Sequence, residues 1–212
     1  MPPVLPARLQ EVESTAARAF ASGPASAADL EELGRLLAAV TLDDLGLAAD
    51  LAAVAGGGAG TPWVERILFA RPELHASVFL VPAGAELPLH DHPEMTVLLR
   101  PLAGRLEIAA FDRIGPDPAD PSGNDGALLA RPRGTREVGP DDPCDALTPE
   151  NGNLHRIRAR ECSAFLDLFS PYYAEDEGRP CSYYREEGEV EFGGERLVRL
   201  ALAPELDPER RA

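Results

Sequence analysis

The chain has 212 residues, enough for one domain with a substantial core and a helical preface. Hydrophobic residues make up 44% and charged residues 26%, which excludes a wholly disordered or fibrous chain. Thirty-six acids against twenty bases give a net charge of -16, which repels nucleic-acid backbones and anionic membranes and suits a cationic ligand.

The first residues, MPPVLPARLQ, lack the basic start and apolar run of a signal peptide, and no apolar run approaches the length of a membrane span. A soluble, cytoplasmic protein is the expectation. From residue 6 to about 55 apolar residues recur at helical spacing, in LPARLQEVESTAARAFA and in SAADLEELGRLLAAV, the second opening with Ser26 as a candidate N-cap. TLDDLGL comes next as a turn or short helix. AGGGAGTP, residues 55 to 62, breaks the pattern and reads as a hinge, with Trp63 expected to anchor it onto the adjoining domain. Residues 1–60 are thus expected to form a helical preface packing on that domain.

Beyond the hinge the period changes to two. LHASVFLVP, TVLLRPLAG, RLEIAAF, GALLARPRG, TREVG, LHRIRAR, SAFLDLFSP and EVEFGGERLVRL are short strand candidates separated by glycine, proline and aspartate. Eight or so strands without intervening helices predict an antiparallel barrel or double-sheet jelly roll over residues 61–203. Arg113 to Pro149 reads as long loops near one barrel mouth. Residues 204–212 read as a solvated tail.

Every one of the twenty bases is arginine, so Schiff-base lysine chemistry and a P-loop are excluded. Cys144, Cys162 and Cys181 are too few and too irregularly spaced for a disulfide framework or a CxxC zinc site. The histidines are more informative. His90 and His92 stand at i and i+2 of a strand and so share a face, which in a small barrel can be the interior. Such a pair is either a metal-ligand pair or cross-strand packing. The spacing G84-x5-H90-x-H92-x4-V97-x6-G104 is that of the first cupin motif, with Val97 where that motif usually has a glutamate ligand. His155 follows a Pro-x-x-Gly turn at Pro149 and Gly152, where the second cupin motif supplies a histidine. Three neutral imidazoles would leave a ferrous ion its full double-positive charge and open positions, which favours an anionic thiolate beside dioxygen.

LPLHDHPEMTV, ALTPENGNLHRI, AFLDLFSPYY and RPCSYYR, in this order from about Ser77 to Arg185, resemble the cysteamine dioxygenase and plant cysteine oxidase group, thiol dioxygenases of the cupin superfamily. The resemblance implies a mainly β fold, a cupin double-stranded β-helix or jelly-roll barrel behind an N-terminal helical segment. It also implies Fe(2+) on His90, His92 and His155, and incorporation of both atoms of O2 into a thiol sulfur to give a sulfinic acid. The substrates it implies are a small aminothiol or a peptide with an N-terminal cysteine, handled by a monomer.

Asp167, on a strand between Phe165 and Phe169, fits the family motif as an acceptor for the substrate ammonium; the alternative is a structural acceptor for backbone N–H groups or an arginine. Tyr173 stands at the family's tyrosine after Pro-Pro, and Tyr172 replaces the second proline. Tyr173 can hydrogen-bond substrate or pack at the rim. Cys181 and Tyr183 have the spacing of a cysteine–tyrosine thioether found in some members, against the default of a free buried thiol. Cys144 and Cys162 read as fillers, and His75 as a satisfied histidine rather than a fourth ligand. Glu94 replaces the glycine of His-Pro-Gly-Met, so it either bears strain at positive φ, turns inward as an oxygen ligand, or is solvated at the rim. With Glu94 or Glu86 as a ligand the barrel would be a manganese, nickel or zinc cupin isomerase, decarboxylase or hydrolase. A non-catalytic ligand binder is the third reading. Among thiols, the choice falls to loops around residues 113–149 and 171–182.

Overall fold

The computed structural model describes residues 5–57, 62–118 and 127–208. Residues 58–61 of the expected hinge, 119–126 of the expected loop region and 209–212 of the expected tail lie outside them. Three helices, α1 (Ala7–Ala19), α2 (Ala27–Ala38) and α3 (Ala48–Ala55), precede eleven strands among the described residues. Ser26 caps α2 as expected: its hydroxyl accepts from the Asp29 N–H while the Asp29 carboxylate accepts from the Ser26 N–H, so two otherwise orphaned donors are satisfied at once. TLDDLGL is a turn closed by the same reciprocal device between Thr41 and Asp44. None of these helices is long and apolar enough to cross a membrane.

The strands form two antiparallel sheets. The first runs β1 (Val64–Arg71), β2 (Leu74–Val81), β9 (Ser163–Ser170), β4 (Thr96–Ala103), β7 (Asp145–Leu147). The second runs β10 (Tyr184–Phe192), β11 (Glu195–Leu202), β6 (Ala127–Val138), β5 (Leu106–Pro116), β8 (Leu154–Ala159), β3 (Glu86–Asp91). Strands β2 and β9 are buried along their whole length because both faces are covered. Ala76, Val78, Leu80, Leu166 and Leu168 meet Leu9, Val12, Leu33 and Leu37 of the helices. The alternate residues Phe79, Val81, Phe165 and Phe169 point the other way, into the barrel. The helical preface therefore closes one face of the first sheet. Arg100 fastens it: its buried guanidinium donates to the Ala38 carbonyl at the end of α2 (3.2 Å) and to the Asp142 carbonyl (3.0 Å), a favourable place for a cation.

Several strands differ from the expectation. Strand β1 falls outside the expected set. GALLARPRG and TREVG fuse into the single strand β6, because Pro132 and Gly134 sit at a register shift opposite Ala110 and Phe111, where a bulge tolerates both residues. That pairing also carries β5 as far as Pro116, so much of the expected loop region is a long hairpin. EVEFGGERLVRL is a hairpin, β10 and β11, turning at Gly193 and Gly194 with φ of 62 and 82. The first part of the expected solvated tail, Pro204–Leu206, is a 3-10 turn, and Asp207 and Pro208 beyond it line the main cavity.

Glu94 is exposed, with φ at 59, in the turn between β3 and β4. Of the three options, the strained one at the rim is realised. The left-handed conformation costs an L-residue roughly 1–2 kcal/mol, and glycine's freedom in the unfolded chain returns part of that. Glu94→Gly is therefore expected to raise stability by a few tenths to about 1 kcal/mol in urea unfolding, with unchanged slope.

Candidate metal centre and its cavity

Strand β3 runs beside β8, with His90 opposite His155. His92 lies one residue past the end of β3, held by its N–H to the Asn153 carbonyl at 2.9 Å. The three rings meet at centroid separations of 4.7 to 4.9 Å, and one ligand nitrogen from each lies within 4.8 Å of the others. All three are buried, at 8%, 1% and 1% exposure. Burial pulls the His90 pKa down to about 4, and burial first, then the neighbouring histidines, pull His92 well down. Burial does the same to His155, helped by His90 and Arg136. The rings are neutral, as ligands must be.

Their tautomers follow from their partners. His90 Nδ1 faces the Pro88 carbonyl at 2.8 Å, which can only accept, so Nδ1 carries the proton and Nε2 is a lone pair. Tyr173 donates its hydroxyl hydrogen to the Asp91 carbonyl (2.9 Å), so at 2.7 Å it must accept from His92 Nδ1–H, again leaving Nε2 bare. His92 Nε2 and His155 Nε2 stand 3.1 Å apart. Two ligands at right angles around an ion, each at a metal–nitrogen distance of about 2.1 Å, would be separated by about 3.0 Å. The donor set and its spacing fit a divalent metal ion. Fixing a ligating ring through its other nitrogen is also the usual support of such sites. No carboxylate belongs to this cluster among the described residues: Glu94 is exposed, and Glu86 lies at the surface, 3.9 Å from Arg156. The carboxylate-ligand reading therefore has no ligand to stand on.

His90 and His92 open onto a cavity of ≈ 280 Å³. Tyr173 sits with its ring 5.6 Å from that of His92, and Tyr172 stacks on His75 at 3.8 Å. Trp63, expected to anchor the hinge onto the barrel, packs edge-to-face on Phe79 of the barrel core and also lines the cavity. Cys181 and Tyr183 line it too, with the Cys181 thiol hydrogen-bonded to the Tyr173 and Tyr183 side chains and pushed up to about 11 by burial. The structure thus brings together all the residues singled out around the three histidines. Cys144 and Cys162 stand apart: the Cys144 thiol donates to the Leu99 carbonyl and burial pushes it up to about 12, and Cys162 reaches the Leu51 carbonyl.

Asp167 also lines the cavity, at 3% exposure, and its Oδ1 has no hydrogen-bond partner among the described residues. No arginine or backbone N–H there takes up that oxygen. Burial, then Asp145 and Glu65, drive its carboxyl well above the usual range, which favours its protonated form. Three further residues belong to the site without having stood out in the sequence. Asp91, between the two ligands, accepts from the Ser182 N–H (2.9 Å) and the Tyr184 hydroxyl (2.8 Å), and its own N–H donates to the Ser182 carbonyl (3.1 Å). Glu65 and Ser77 complete a chain from His75. Asp91 was legible in principle, being an acid inside a strand that needs partners; Glu65 was not, because its partners lie on the next strand.

The fold and site define a two-sheet antiparallel β barrel with a buried cluster of three histidines that could hold a metal ion. The family model described as PCO_ADO matches residues 36–205, and the chain belongs to that family. It is 32% identical over 179 residues to "2-aminoethanethiol dioxygenase" of Homo sapiens, covering 74% of this chain and 65% of that one. It is 30% identical over 185 residues to "Plant cysteine oxidase 2" of Arabidopsis thaliana, covering 83% and 65%. "Plant cysteine oxidase 1" of the same plant is 37% identical over 112 residues, covering 51% and 36%. The chain thus spans about 65% of the length of the first two relatives.

Proposed function

We propose that the chain is a non-haem iron thiol dioxygenase, converting a thiol and O2 into a sulfinic acid, with cysteamine or an N-terminal cysteine as substrate. The observation that carries this reading is the set of three neutral, buried imidazoles, His90 and His92 with bare Nε2 atoms, and no carboxylate among the described residues, in a chain of the PCO_ADO family. Ferrous iron held by His90, His92 and His155 would supply a doubly positive Lewis acid with a preference for an anionic sulfur.

The chain's own residues do the rest. The Pro88 carbonyl and the Tyr173 hydroxyl hold the ligand rings in the binding tautomer. Trp63, Phe79 and Tyr172 wall the cavity with aromatic surface, which excludes water and strengthens every electrostatic contact inside. Asp167 offers a buried, unpartnered carboxyl oxygen to the substrate's polar end. Tyr173 and Tyr183, hydrogen-bonded to Cys181, form a hydroxyl and thiol wall beside the reacting sulfur.

The test is oxygen uptake by protein loaded anaerobically with ferrous iron and given cysteamine, cysteine or a peptide beginning with cysteine. Product mass and bound metal are recorded alongside. A gain of two oxygen atoms on one thiol is expected. An iron-loaded protein that takes up no oxygen with any of the three would overturn the reading.

A further inference from the structure

The cavity has a second polar wall. On β2, His75 and Ser77 point into the barrel, and Ser77 is opposite Asp167 of β9, so the two side chains share the inner face. Ser77, fully buried, lies 2.9 Å from His75 Nε2 and donates its hydroxyl hydrogen to Glu65 Oε1 at 2.6 Å. Since that hydrogen is spent on Glu65, His75 Nε2 must be the donor to Ser77. The chain of bonds runs one way, from His75 N–H through Ser77 O–H to the Glu65 carboxylate. Tyr172 stacks on the far end, 8° from parallel with His75, and fixes the ring.

Glu65 lines the cavity with a side chain 31% exposed, beside Asp167, whose buried Oδ1 is unpartnered among the described residues. The hydrogen bonding from His75 holds the Glu65 carboxyl below its usual range, whereas Asp167 is pushed the other way. The two acids, joined through Ser77 on one cavity wall, are pushed in opposite directions, Glu65 towards its charged form and Asp167 towards its neutral one. Such a pair suits a singly charged ammonium, which donates to both oxygens. It has no use for a neutral end and repels a carboxylate.

We propose that Glu65, oriented by Ser77 and His75, is a specificity-determining residue that pairs with Asp167 to bind the ammonium of an aminothiol substrate. The proposal rests on the thiol reading for the sulfur end only. It is tested without turnover. Trp63 is the chain's single tryptophan and lines the same cavity, so its fluorescence reports occupancy. Iron-loaded protein held anaerobically is titrated with S-methylcysteamine, a cationic thioether that cannot give a thiolate, and with its neutral counterpart 2-(methylthio)ethanol. The wild-type chain is expected to prefer the cation at least about tenfold. Glu65→Gln, isosteric and partly exposed, is expected to bring that ratio towards one, and Glu65→Asp to keep part of it. In oxygen uptake, the matching change is a raised KM for cysteamine relative to 2-mercaptoethanol.

A wild-type chain without the preference, or a Glu65→Gln chain that retains it, overturns the proposal. Fluorescence that shows the preference in a chain that oxidises no thiol supports the ammonium subsite and overturns only the dioxygenase reading.

Discussion

His92→Ala is expected to abolish both metal retention and turnover. The residue supplies one of the three clustered imidazole nitrogens, and its ring is held by Tyr173 on one side while facing His155 at 3.1 Å on the other. With two neutral ligands left, no side chain stands ready to substitute, since the cluster holds no carboxylate among the described residues. Burial keeps the remaining imidazoles neutral, His90 down to a pKa of about 4, so protonation at neutral pH cannot mask the loss. Metal analysis after gel filtration should show less than a stoichiometric ion, with oxygen uptake at background and an unchanged far-ultraviolet circular dichroism spectrum. A variant that keeps full metal and full activity would remove His92 from the ligand set.

Phe165→Ala is expected to cost about 3–5 kcal/mol, the range for removing a buried aromatic ring. Phe165 is fully buried on the inner face of β9 and stacks on Phe79 at 5.0 Å and 17°. Both faces of that strand are packed, so the space left by the ring has little means of closing. The loss is a large share of the roughly 5–15 kcal/mol typical of a folded domain. Urea unfolding followed by circular dichroism measures it directly. Because Asp167 is two residues along on the same face, a fall in activity in excess of the folded fraction would report movement of the cavity wall.

The histidine cluster is legible in the sequence because the convergence of its members is written in short-range spacing. His90 and His92 need only a strand period of two to converge, and His155 needs only the turn at Pro149 and Gly152 that precedes β8. Asp167 can be placed facing inward for the same reason, between Phe165 and Phe169. Its raised pKa cannot, because that depends on burial first and then on Asp145 and Glu65 arriving from other strands. Glu65 is invisible there: VERILFAR lacks a clean alternation, its burial pattern is mixed, and its partners reach it only through the pairing of β1 with β2. Pro132 and Gly134 mislead in the opposite direction. Locally they are breakers, yet at a register shift in a paired strand they are tolerated. Pairing between strands, not propensity along the chain, decides each of these.

Asp91 has a consequence for how the protein acquires its metal. It is flanked by two ligands, and its carboxylate, carbonyl and N–H all go to Ser182, Tyr184 and Tyr173, the last beside the substrate cavity. Ligand geometry and cavity wall therefore move as one unit, and a coupling between two sites is reciprocal. Whatever free energy metal loading contributes to ordering residues 182–184, a ligand that orders the same wall returns to the metal as tighter retention. Were a metal held by the three histidines, its affinity would then rise with occupancy of the cavity, and the ion would be lost fastest from protein that has nothing to act on.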